Sequence, residues 1–123
     1  TIKDMLSNEY PPLADDSIII HKSGKKYCIF QTPYVEKTLD IAKSDKRIPL
    51  GSICFLKKST QYSRNVMDDK QLIYKTLIQN CIIEDKTSVD SYLKKIQDFT
   101  NSFDHFYLVE FGLHQKKLLN LFR

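Results

Sequence analysis

Two adjacent carboxylates, Asp15 and Asp16, stand just before a run of three isoleucines, Ile18 to Ile20. Leu13 and Ala14 lead into them. A short β-branched apolar run reads as a strand, so the acid pair is expected at the lip of a buried strand. Carboxylates resist burial unless a cation, a metal or hydrogen-bond donors replace the lost water. The segment thus demands a fold in which a core strand opens beside a polar site. It marks Asp15 and Asp16 as candidates for acid–base or Mg²⁺ chemistry. The plainer alternative is a strand start kept solvated by two acids, or a chance capping pair. Successive strand residues point to opposite faces, so both carboxylates meet one metal only if the chain bends there.

The rest of the chain places this strand among others. Ile2, Met5 and Leu6 have helical spacing, and Pro11-Pro12 ends that helix. A strand is expected from Leu13 through Ile20, a turn at Ser23-Gly24-Lys25, and a return strand over Lys26 to Gln31. Residues 35 to 48 are polar with few apolar anchors and read as a loop or a poorly formed helical turn. Ser52 to Leu56 is apolar throughout and is expected to be a central strand. A helix is expected to start near Val66-Met67-Asp68-Asp69, with its acids at the positive end of the helix dipole. Leu72, Ile73, Leu77 and Ile78 give it an apolar face. After Thr87-Ser88, the spacing of Val89, Tyr92, Leu93, Ile96 and Phe99 predicts a second helix. Phe106 to Phe111 reads as a late strand, and residues 114 to 122 as a closing helix. The class is α+β: a β-hairpin and further strands in one mixed sheet with helices packed on it.

Composition excludes several classes. The chain has 123 residues, enough for a single domain over 1–123. Its net charge of +4 suits an anionic ligand such as a nucleotide, but the lysines are scattered and form no stripe for nucleic acid. No apolar run approaches the roughly 18 residues of a membrane span. Cys28, Cys54 and Cys81 each sit in an apolar run without CxxC spacing. They read as buried free thiols in a reducing cytoplasm. His21, His105 and His114 share no ligand spacing with them, so zinc is not expected.

Four segments carry a resemblance. Leu13-Ala14-Asp15-Asp16, followed by an apolar strand, resembles the leucine-small-Asp-Asp segment of the HPr kinase-like (serine kinase) proteins. That family has the nucleotide-binding core of phosphoenolpyruvate carboxykinase. Gln31-Thr32-Pro33-Tyr34 resembles its Gly-Thr-Pro-aromatic turn, with Gln31 in place of Gly and Tyr34 in place of Trp. Ile48-Pro49-Leu50 through Phe55-Leu56-Lys57-Lys58 is similar to its Pro-Leu strand with a basic exit, and Asn65 follows where an Asn often does. Phe106 to Phe111 and the Leu118-Leu119 helix are similar to its last strand and helix. The order and spacing span nearly the whole chain.

The resemblance implies a nucleotide-dependent phosphotransferase acting on a Ser or Thr hydroxyl of a protein or peptide. ATP and Mg²⁺ are its implied cofactors. One carboxylate of Asp15 and Asp16 is implied as acid–base and the other as assisting Mg²⁺, with Asp16 taken as the metal ligand. Such kinases grip the triphosphate with a Walker A loop, GxxxxGK[ST]. Gly24, Gly51 and Gly112 do not form one. Thr1-Ile2-Lys3 reads as the continuation of a Gly-Lys-Ser-Thr, so the chain is expected to be the portion of a kinase-like domain downstream of its P-loop. Thr1 then touches phosphate or Mg²⁺; otherwise it is a frayed terminus. Without the loop little kinase activity is expected, and a non-catalytic binding or regulatory module is the alternative. A piece cut from such a domain exposes a sheet edge and a core face, so self-association is expected. Lys57, Lys58, Arg47 and Arg64 are candidates for phosphate contact, against the commoner role of surface cations. Thr32 and Tyr34 are candidates for lining the acceptor groove.

Overall fold

The computed structural model describes residues 5–6, 9–14, 17–32, 41, 44–81 and 86–122. Within them the chain runs β1 (Ile18–Ser23), β2 (Lys26–Gln31), β3 (Ile48–Pro49), β4 (Ile53–Lys58), β5 (Ser63–Val66), α1 (Lys70–Asn80), a 3₁₀ turn (Lys86–Ser88), α2 (Val89–Ser102), β6 (Phe106–Phe111) and α3 (Gln115–Asn120). The protein is mixed α and β. Its described strands form two three-stranded sheets rather than the single mixed sheet expected. The chain divides into two compact units, Thr1–Gly51 with Gln115–Arg123, and Ser52–His114.

The first unit holds the antiparallel sheet β1-β2-β3. Ser23 pairs with Lys26, leaving Gly24 and Lys25 as a two-residue loop. Gly24 has φ +65°, while no residue other than glycine has positive φ among those described. Positive φ at the first loop position alone is the type II′ pattern, which matches hairpin twist. β1 begins at Ile18, not at Leu13, because its partner β2 ends opposite it at Gln31. The isoleucine run is also less buried than expected. Period-two alternation puts Ile18 and Ile20 on the face opposite Ile19, and they are 42% and 38% exposed. In α3, Leu118 is fully buried. The Gln115 Nε2 donates to the Met5 carbonyl at 2.9 Å, and Tyr10 meets Phe122 edge-on.

The second unit holds the sheet β4-β6-β5, with β4 parallel and β5 antiparallel to β6. The expected central strand β4 therefore lies at an edge of the described sheet, and β6 is central. The apolar run of β4 does not report two covered faces: Phe55 stacks on Phe106, while Leu56 is half exposed. β5 was not expected, since Ser63-Arg64-Asn65-Val66 has no apolar alternation. Cross-strand side chains hold it to β6. The Arg64 guanidinium lies 4.2 Å from the Tyr107 ring, and Ser63 Oγ donates to Glu110 Oε2 at 3.1 Å. Arg64 is thus a strand residue.

Val66 closes β5, which moves the helix start to Asp69. The Asp69 carboxylate caps α1 by accepting from the Leu72 amide at 3.2 Å. α2 forms where its apolar spacing predicts, and Phe99 and Phe103 meet the Phe106 ring at 5.8 and 5.3 Å. Phe106, Ile73 and Val109 are fully buried. Lys70, at the first turn of α1, donates to the carbonyls of Thr100 and Phe103 at the end of α2, where a cation suits the helix dipole.

Candidate functional site

Thr1, Asp15, Asp16 and Tyr34 lie outside the described residues. Gln31, the last residue of β2, is 9% exposed. Its Nε2 donates to the Leu13 carbonyl at 2.8 Å. Its Oε1 accepts from the Ser44 amide at 2.7 Å. One carboxamide joins three segments that are far apart in sequence, one of which ends two residues before Asp15. A buried amide with both ends bonded specifies its surroundings, because losing either bond strands a backbone group.

Around Gln31 lies an open groove of about 670 Å³. Ile19 and Phe30 are direct cross-strand partners and share one face of the hairpin. They supply its apolar floor. Thr32, Ser44, Asp45 and Arg47 supply its polar rim. Ser44 Oγ accepts from the Lys46 amide at 3.2 Å, a local turn that shapes the rim. β3 pairs with Cys28 and Ile29 of β2, which brings the preceding residue, Arg47, beside Phe30. Its guanidinium lies 5.4 Å from the ring centroid. Such stacking orients a guanidinium while leaving its edge N–H groups to other partners.

Of the residues singled out in the sequence, Thr32 and Arg47 meet in this groove. Gln31, Ser44 and Asp45 were not foreseen as groove residues. The others go elsewhere. Lys57 Nζ is 3.8 Å from Glu110 Oε1, and its side chain is 65% exposed. Lys58 is exposed at the end of β4, and Arg64 is held on Tyr107. His21 lies within β1 and is exposed, and His105 and His114 flank β6. Tyr27, Tyr74, Tyr92 and Phe99 are half-buried, as near-core residues should be.

The cysteines differ from expectation. All three are free, but Cys28 and Cys54 are only half-buried and Cys81 is exposed. Cys81 caps the C-terminal end of α1. The residue is open to solvent as a whole, yet partial burial of its thiol pushes the pKa above its usual value. Among the described residues, no three His, Cys, Asp or Glu side chains gather as a metal site. Among them too, no helix is long and apolar enough to cross a membrane.

Comparison with models of protein families, with curated proteins and with solved structures finds no match to this chain.

Proposed function

We propose that the chain supplies the acid–base and acceptor-side parts of an HPr kinase-like phosphotransferase, acting in the cytoplasm on a Ser or Thr hydroxyl of a protein or peptide. The observation that carries this reading is the Gln31 bridge. It ties the segment leading into Asp15-Asp16 to the rim of a groove that also holds Thr32, and the resemblance puts its acceptor turn at Gln31-Thr32. The order of elements supports it further. A hairpin follows the acid pair, a strand with a Lys57-Lys58 exit follows Pro49-Leu50, and a strand and helix close the chain.

Phosphoryl transfer needs the phosphates held, their charge neutralised and a base for the acceptor hydroxyl. One carboxylate of Asp15 and Asp16 would take the acceptor proton and the other would assist Mg²⁺, with Asp16 as the residue that would hold the metal. When bound, Mg²⁺ would neutralise charge on the phosphates of ATP. Thr1 contacts phosphate if a Gly-rich loop precedes it. Ile19 and Phe30 floor the groove in which the acceptor lies, and Thr32 lines its rim.

A second reading has its own observation. The 123 residues contain no GxxxxGK[ST], which favours a non-catalytic binding or regulatory module built on the same frame. The test is Mg²⁺-dependent phosphoryl transfer from ATP to Ser/Thr peptides, by these residues alone and by the protein purified from its native source. The expected result is transfer by the native-source protein and little by the 123 residues alone. Transfer by neither assigns the chain to the binding-module reading. Substantial transfer by the 123 residues alone contradicts the need for the loop.

A further inference from the structure

The polar rim of the groove in the first unit carries the Arg47 guanidinium. Arg47 is exposed, and its one recorded interaction is with the face of Phe30 at 5.4 Å. Among the described residues it enters no ion pair. Contrast Arg64, which lies at 4.2 Å on Tyr107 and helps hold β5 to β6, and Lys70, whose ammonium is taken up by two carbonyls. Arg47 instead lines a concavity of about 670 Å³ together with Ile19, Phe30, Thr32 and Ser44. The aromatic face attracts the guanidinium without consuming its N–H donors. A planar fork of N–H groups lining such a groove matches the two oxygens of a carboxylate or phosphate.

We propose that Arg47, seated on Phe30, is an anion subsite that takes one oxyanion group, carboxylate or phosphate, of the ligand filling this groove. Asp45 limits it. Its carboxylate lines the same rim, with no hydrogen bond or ion pair recorded among the described residues, and it repels a second negative charge. The subsite therefore takes a single anionic group rather than a polyanion. Anion binding here does not depend on phosphoryl transfer, so its test stands apart from the kinase reading.

The test is a titration of the whole chain with inorganic phosphate and, separately, with N-acetyl-aspartate amide, at low ionic strength. The Nε–Hε resonances of arginine are followed by NMR. Arg47 is expected to shift saturably with a millimolar dissociation constant, while Arg64 does not. Arg47→Gln should weaken the binding at least about tenfold with the melting temperature unchanged, since the residue is exposed. Asp45→Asn should tighten it about two- to threefold, the size of a repulsion between charges several ångströms apart in water. Tighter binding of phosphate assigns the subsite to a phosphate group, and tighter binding of the aspartate derivative assigns it to a carboxylate. Equal affinity in the wild-type protein and Arg47→Gln, or an equal shift at Arg64, overturns the proposal.

Discussion

Replacing Gln31 by Leu removes the bridge among Leu13, Gln31 and Ser44 while nearly keeping the side-chain volume. Two hydrogen bonds, at 2.8 and 2.7 Å, are lost. A group stranded away from water costs about 1–3 kcal/mol. Leu13 and Ser44 are half-buried, so water reaches them and the low end applies, about 2 kcal/mol for the pair. The leucine gains some apolar burial at a position only 9% exposed, which offsets up to about 1 kcal/mol. The net expectation is a loss of about 1–2 kcal/mol. Urea unfolding should show it as a lower midpoint with unchanged slope. Hydrogen exchange should show it locally, with the Ser44 amide losing protection beyond the global change. A variant as stable as the parent, with Ser44 still protected, would refute the bridge among Leu13, Gln31 and Ser44.

Phe106→Ala should cost about 3–5 kcal/mol in urea unfolding, because the ring is fully buried and meets Phe55, Phe99 and Phe103. A loss under about 2 kcal/mol would mean that the second unit has another centre. Gly112→Ala should destabilise by about 1–3 kcal/mol, since the new Cβ would lie 2.8 Å from the Tyr62 hydroxyl and 3.0 Å from the Ser59 carbonyl. Tyr62→Phe removes that hydroxyl and its bond from the His114 amide. The double variant should therefore be more stable than the two single losses added together, and simple additivity would contradict the contact. Cys81 should alkylate more slowly at pH 8 than after unfolding, because burial raises its pKa and lowers the thiolate fraction. The folded state then holds the proton longer than the unfolded state. The thiol's contribution to stability is full below the unfolded pKa and falls as pH rises past it. Equal labelling rates would remove the shift.

Elements held by their own apolar periodicity were legible. Val89, Tyr92, Leu93, Ile96 and Phe99 marked α2, and β6 matched its expected span because its residues meet covered faces on both sides. The hairpin was legible from Gly24 between two apolar runs. β5 was not, because what holds it is Arg64 on Tyr107 and Ser63 on Glu110, partners some forty residues away. The edge position of β4 was hidden for a related reason. An apolar run tells that a strand packs, but not how many neighbours it has. The groove was legible only in pieces. Thr32 and Arg47 stood out by residue type, but Gln31 joins residues 13, 31 and 44 through side-chain bonds to backbone, and no local pattern announces those. Phe30 read as strand core, and its role as a floor under Arg47 depends on the register of β3.

The acid pair is the centre of the account, and its most direct test is substitution. Asp15→Asn and Asp16→Asn are made singly in the protein from its native source. Phosphoryl transfer per folded molecule is then measured beside the melting temperature. The expected result is a rate lower by about 10²–10⁴-fold in each variant with the melting temperature nearly unchanged, as for a lost base or metal ligand. An unchanged rate per folded molecule, with a shifted melting temperature, would show that the two carboxylates serve the fold and not the chemistry.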